Sequence, residues 1–205
     1  MKDYPSLDTA IRSGEPIYAF DKKDGSNVRA EWVPKLGFTK FGKRHGLLDD
    51  SNPILKRAIP LMQAQEDTLA KICKKERWER AVFFFEFQGP GSFAGNHVES
   101  EAQECLLFDV DVFRKGLLEP REFLKLFADA VPTPGMLYQG NANQPFVERV
   151  QEGLLEGMTF EGVVCKGAMD KKAGRPLMFK IKNRAWIARL KEKCGGDEKL
   201  FQALL

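Results

Sequence analysis

No apolar run in the 205-residue chain approaches the roughly 20 residues that a helix needs to cross a bilayer. The opening stretch, MKDYPSLDTAIRSGEP, lacks the basic and apolar segments of a secretory leader. These absences lead us to expect a cytoplasmic protein with no membrane contact. Cysteine is sparse as well. Cys73, Cys105, Cys165 and Cys194 lie far apart without a C-x-x-C pair, so neither a zinc site nor a disulfide framework is signalled, and reduced thiols filling the core are expected. Neither an internal repeat nor a low-complexity linker divides the chain. Its length allows one good-sized core and not two, so the expected organisation is a single domain over residues 1–205, with 183–205 as a short helical tail. The formal net charge of +3 is too small to argue for a nucleic-acid partner by itself.

What is present is an ordinary globular composition, 43% hydrophobic and 30% charged, which supports a folded core. Strand-like composition marks Ile17 to Phe20, Val28 to Val33, Phe38 to Phe41, Val82 to Phe87, Leu106 to Phe113, Gly162 to Lys166 and Leu177 to Lys182. Helical signals fall between them. Asn52 and Pro53 read as a cap and first-turn pair, followed by Leu55, Ile59 and Met62 at helical spacing, with Pro60 expected to kink or divide the segment. Pro120 opens a helix carrying Phe123, Leu124, Phe127 and Ala128; Phe146, Val150 and Leu154 mark another. Gly195 and Gly196 break the helical tail. Strands separated irregularly by helices predict an α+β fold on mixed or antiparallel sheets, not a doubly wound one. The basic cluster Lys71, Lys74, Lys75, Arg77 and Arg80 reads as the solvated face of a helix.

Directly after the first predicted strand comes Lys22-Lys23-Asp24-Gly25-Ser26, a K-x-D-G-S pattern. Alone it is weak, because Asp-Gly is also a favoured hairpin turn. Further along, Glu86 sits inside the aromatic run Phe85-Glu86-Phe87, where an ionised group needs a partner or a metal. Leu107-Phe108-Asp109-Val110 sets an aromatic beside an acid, and Phe160-Glu161-Gly162-Val163-Val164 embeds another Glu in a strand. In Phe179-Lys180-Ile181-Lys182 the lysines lie two apart and project from one strand face.

In this order, K-x-D-G, an isolated Glu, F-D-V, E-G-V-V and K-x-K resemble the motifs of the covalent nucleotidyltransferases: ATP-dependent DNA ligases, RNA ligases and mRNA capping enzymes. The likeness runs from about Ile17 to Asn183. Lys43-Arg44-His45-Gly46, Glu86-Phe87-Gln88-Gly89-Pro90-Gly91 and Lys180-Ile181-Lys182-Asn183 look like the RNA ligase branch typified by the nick-sealing enzyme of T-even phages, as does the stretch Gly89 to His97. That branch often has His where this chain has Asp24, which blurs the subfamily and leaves the chemistry intact.

The resemblance implies that Lys22 attacks the α-phosphorus of ATP, that AMP then moves to a 5′-phosphate RNA end, and that a 3′-OH displaces it to seal the strand. It implies Lys22, Lys180 and Lys182 as catalytic residues and Lys22, Asp24, Gly25, Arg44, Glu86, Phe108, Glu161, Lys180 and Lys182 around the nucleotide, with Phe108 stacked on adenine. Asp24, Glu86 and Glu161 are hard oxygen donors suited to Mg²⁺ or Mn²⁺. A lysine amine has a reference pKa of about 10.4, so nearby cations are expected to depress that of Lys22. Arg29 reads equally as a phosphate contact or an ion-pair partner, and His97 as structural. Few residues follow Lys182, so an OB-fold domain, and with it capping, is not expected. A minimal DNA ligase is the nearest alternative, and a non-catalytic nucleotide- or nucleic-acid-binding module the alternative of another class. A monomer acting on RNA, with DNA ends as a second possibility, is the expected form.

Overall fold

The computed structural model describes residues 1–89 and 100–205. The stretch from Pro90 through His97 therefore lies outside the described residues. The elements in chain order are β1 (Pro16–Asp21), β2 (Ser26–Val33), β3 (Gly37–Lys43), α1 (Pro53–Lys56), α2 (Ala58–Gln63), α3 (Glu66–Lys75), β4 (Ala81–Gln88), β5 (Glu104–Val112), β6 (Gly116–Leu117), α4 (Pro120–Phe127), β7 (Met136–Asn141), α5 (Gln144–Gln151), β8 (Gly162–Asp170), β9 (Arg175–Lys182), α6 (Arg184–Lys193) and α7 (Glu198–Leu204). They build two antiparallel sheets, one in the order β7-β1-β8-β9 and one in the order β3-β2-β4-β5-β6. The α+β fold expected from the sequence is the fold observed.

Each sheet has an outer face buried under helices and an inner face turned toward the other sheet. Val28, Ala30, Trp32, Phe83, Phe85 and Leu107 pack outward in one cluster with Met62, Leu69, Phe123 and Phe127 of α2, α3 and α4. Ile17, Ala19, Val163, Cys165, Phe179 and Ile181 pack outward against Phe146 and Val150 of α5. Strand alternation sends the intervening residues inward. From the four-stranded sheet these are Phe20, Val164 and Lys180 in one cross-strand row and Lys166 and Met178 in the next. From the five-stranded sheet they are Arg29, Phe84 and Asp109, then Glu31, Val82 and Asp111.

Residues 1–8 run between the sheets as a strap. Lys2 pairs with Asp111, Asp3 with Arg29, and the Tyr4 hydroxyl donates to Asp109 at 2.9 Å. At the far end the Asp8 carbonyl accepts from the Lys180 N–H of β9. The strap thus gives partners to charges that alternation alone would bury bare.

Several local readings hold and some do not. The helix after Pro53 breaks at Arg57, because Pro60 lacks an N–H and its ring collides with the carbonyl four residues back, that of Lys56. Asn52 precedes α1 but caps nothing with its side chain, which instead donates to Asp49 and Ser51 and accepts from Lys43. Leu154 falls beyond the end of α5 and is exposed. The short β6 and the edge strand β7 carry little strand signal, since β7 pairs only with β1 and is mostly solvated. The basic residues of α3 and its exit, Lys71, Lys74, Lys75, Arg77 and Arg80, are exposed as expected. All four cysteines are free and buried, and burial pushes the thiols of Cys73 and Cys105 up to about 12. No helix among the described residues is long and apolar enough to cross a membrane.

Asn143, unlike Asn52, is a working cap: its side chain accepts from the Phe146 N–H at 3.0 Å. Urea unfolding should therefore show Asn143→Ala destabilised by about 1 kcal/mol and Asn52→Ala by less than about half of that.

Candidate active site

A cavity of about 690 Å³ opens between the two inner faces, within the size range of small-molecule sites. Every site residue expected from the sequence lines it: Lys22, Asp24, Gly25, Arg44, Glu86, Phe108, Glu161, Lys180 and Lys182. The turn holding Lys22 to Gly25 is not a hairpin, because β1 and β2 belong to different sheets. It is the crossover between them, and that places Lys22 at the junction. Its backbone N–H donates to the Gly162 carbonyl at 2.9 Å. Gly25 is required by close approach: a Cβ there would lie 2.5 Å from the Phe87 carbonyl oxygen. The Gly25 N–H donates to Glu86 Oε1 at 3.1 Å, tying the turn to β4.

Glu161 is the electrostatic centre. Only 3% exposed, it accepts from Lys22 Nζ through Oε2 at 2.8 Å and from Lys182 Nζ through Oε1. Gly162 after it has φ +135, and a Cβ would meet the Ile181 carbonyl oxygen at 2.1 Å, so the E-G pair is a backbone requirement as well as a chemical one. Lys182 also lies over the Trp186 ring at 3.7 Å. Lys180 projects from the same strand face, as its spacing predicts, and donates to the main-chain carbonyl of Leu205 at 2.6 Å.

The charge state of Lys22 differs from the sequence expectation. Burial pulls its pKa down, but the carboxylates of Glu161, Glu86 and Asp24 outweigh burial and raise it. The lysines with depressed values are its neighbours. Burial, then the Lys22 charge, brings Lys182 down to about 8 and lowers Lys180 in the same sense. Glu86 is pushed up to about 7 by burial, with Lys22 opposing. The physical reason is that three carboxylates act on the Lys22 ammonium, with Glu161 in direct contact, and together outweigh its burial.

Phe108 reaches the cavity through a β-bulge. Phe84 pairs with Asp109 and Phe85 with Leu107, which leaves Phe108 as the extra residue of β5. Arg44 lies in the exposed loop after β3 at the cavity rim. His45 beside it pairs with Asp3 at 3.1 Å. Arg29 is fully buried, joins Asp3, and donates to the carbonyls of Lys2 and Gly46, so its ion-pair reading holds and it does not line the cavity. Lys40 is held by Glu31 at 3.1 Å.

Asp24, Glu86 and Glu161 have the donor chemistry for a hard divalent cation. Among the described residues, however, no three acids, histidines or cysteines converge on one point, and both Glu161 oxygens are taken by ammonium groups. The acids fit an ion that keeps waters and shares ligands with a bound phosphate, not one caged by protein alone. Sequence reading missed Tyr4 and Lys166, which also line the cavity. Alternation along Val164 and Lys166 was the available signal for the second; the first had none.

Keeping Glu86 buried has a pH signature. The folded chain holds the Glu86 proton up to about pH 7, whereas the unfolded chain releases it in the ordinary carboxylate range. The folded state binds more protons in that window, so this group's contribution to stability falls as pH rises through it. Thermal melts without ligand should find Glu86→Gln more stable than the parent at pH 8, with the gap closing toward pH 4 to 5.

No family pattern and no curated protein sequence matches the chain. Solved structures share the fold. A provisionally assigned ATP-dependent DNA ligase from Aquifex aeolicus superposes with a TM-score of 0.61 at 16% identity over 100% of this chain and 57% of that one. A variant of Naegleria gruberi RNA ligase with AMP and Mn gives 0.63 at 15% identity over 91% of this chain and 57% of that one. The same RNA ligase with PPi gives 0.61 at 17% identity over 88% and 53%. The chain thus spans just over half the length of these proteins, and at such identities the likeness is one of fold.

Proposed function

We propose that the chain is the nucleotidyltransferase unit of an ATP-dependent polynucleotide ligase that seals RNA ends. The observation that carries this reading is the convergence of Lys22, Glu161, Lys182, Glu86 and Phe108 on one cavity from both sheets. The fold likeness to ligases solved with AMP and Mn or with PPi supports it. ATP is the substrate. The Lys22 amine forms a phosphoramidate bond to the α-phosphorus as the bond to the β-phosphate breaks and pyrophosphate leaves. The amine must first shed a proton, and Glu161, 2.8 Å away, is the acceptor within reach. Lys180 and Lys182 supply fixed positive charge for the oxygens of the α-phosphate. AMP then passes to a 5′-phosphate, and a 3′-OH attacks that phosphate and releases AMP.

Asp24, Glu86 and Glu161 would hold Mg²⁺ or Mn²⁺, which supplies charge neutralisation at the phosphates. The side chain of Phe108 forms the wall for adenine, and Arg44 at the rim meets a phosphate. Sealing of DNA is the second reading, favoured by the Aquifex structure, whose likeness extends over the whole of this chain.

Incubation with α-labelled ATP and Mg²⁺ should label the chain through an acid-labile bond on Lys22, and Lys22→Ala should abolish it. Label retained by that variant would sink the assignment. Glu161→Ala and Lys182→Ala should each slow labelling by at least about 10², as expected when one preorganised charge is removed.

The substrate is decided by a panel of nicks, single strands and broken hairpins in RNA and DNA versions. We expect salt-sensitive joining with a ribose 3′-OH end preferred, and better sealing of pre-adenylylated RNA than of plain 5′-phosphorylated RNA. Efficient sealing of all-DNA nicks with RNA ends refused would favour the DNA reading.

A further inference from the structure

The one buried lysine of the described residues that the chemistry above does not use is Lys166 of β8, 4% exposed. It reaches from the four-stranded sheet across to β5 of the other. Its Nζ donates to the Phe108 carbonyl at 2.6 Å and to Asp109 Oδ2 at 2.9 Å. Asp109 is 1% exposed, accepts from the Val110 N–H through Oδ1 at 3.0 Å, and takes the Tyr4 hydroxyl on the same oxygen as Lys166. Tyr4 in turn meets the Phe108 ring edge-on, centroids 4.9 Å apart. Lys166 Nζ lies 5.3, 5.4 and 5.8 Å from the centroids of Phe20, Phe123 and Phe108.

The geometry is that of a clamp on the bulge. A bulge residue leaves the sheet ladder, so its carbonyl needs another donor, and without one the peptide is free to turn. Lys166 supplies that donor, Asp109 neutralises it, and Tyr4 buttresses the ring from the strap. We propose that Lys166 is a positioning residue that sets the orientation of the Phe108 ring, and with it the grip of the cavity on a nucleobase. This rests on the reading of the cavity as an ATP site. Lys166 acts through Phe108.

Removing the lysine alone would leave Asp109 as an unpaired buried charge, which is strongly destabilising, whereas removing both charges is often neutral. The informative protein is therefore the full chain with Lys166→Met and Asp109→Asn together. Asparagine keeps an acceptor for the Val110 N–H and a donor for the Tyr4 oxygen, while the Phe108 carbonyl loses its clamp. Calorimetry should give an ATP Kd about 5- to 100-fold weaker than the parent, the range spanned by base–aromatic stacking, with the melting temperature retained. Lys22 labelling at saturating ATP should stay within about 3-fold, because the chemistry of Lys22, Glu161 and Lys182 is untouched. Lys166→Gln with Asp109→Asn restores a donor to the carbonyl and should recover part of the affinity. A folded double variant with parental Kd would overturn the proposal, as would loss of labelling at saturating ATP with Kd unchanged. A parent that binds ATP without labelling sinks the ligase reading and leaves Lys166 to be judged on the same Kd comparison. A parent that does not bind ATP overturns both.

Discussion

A carboxylate removed from water must recover its lost hydration from partners within the protein, and Glu161 does so with one ammonium hydrogen-bonded to each oxygen. Much of the cavity follows from this constraint. The two lysines must come from different elements, Lys22 from the end of β1 and Lys182 from the end of β9, so β8 has to lie between those strands. The Glu161 backbone must lie close to β9, so Gly162 follows it where a side chain would strike the Ile181 carbonyl. The turn after Lys22 must then cross to the second sheet, and Gly25 passes within van der Waals contact of β4.

The same logic governs the space between the sheets. Arg29, Glu31, Asp109, Asp111 and Lys166 are all buried there, a poor way to gain stability, since apolar residues of similar volume would serve folding as well or better. Their arrangement instead confers position. The Asp3–Arg29 pair with the Gly46 carbonyl holds the loop that carries Arg44, and the Lys166–Asp109 pair holds the bulge that carries Phe108. Rim and wall of the cavity are thus each fixed by a charge pair behind them, half-exposed on its Asp3 side at the rim and fully buried at Lys166–Asp109.

Charges inside the cavity act on one another. With three acids around it Lys22 is held as an ammonium, and the positive charge it keeps adds to burial in depressing Lys182. The nucleophile is at rest in this state. Any partner that draws negative charge away from Lys22 lowers its pKa, and that links binding to activation through ordinary Coulomb interactions.

The sequence by itself determined most strands, the division of the α1–α2 segment by Pro60, and the identity of the residues that meet at the cavity. These were legible because they depend on local chemistry: alternation at period two, proline geometry, and acids set in apolar runs. Asp-Gly after Lys22 was ambiguous, because a hairpin turn and a crossover use the same residues; only sheet membership separates them. The pKa of Lys22 is raised where nearby cations are expected to lower it, because the largest charges acting on it are those of Glu161 and Glu86, over sixty residues away along the chain. What covers the polar inner face of β2 was not legible, since alternation tells which residues share a face but not what lies over it. The strap of residues 1–8, the bulge at Phe108 and the reach of Lys166 to Asp109 were decided by tertiary structure alone. Each is a pairing between distant segments, and a buried charge finds its partner in space, not in sequence.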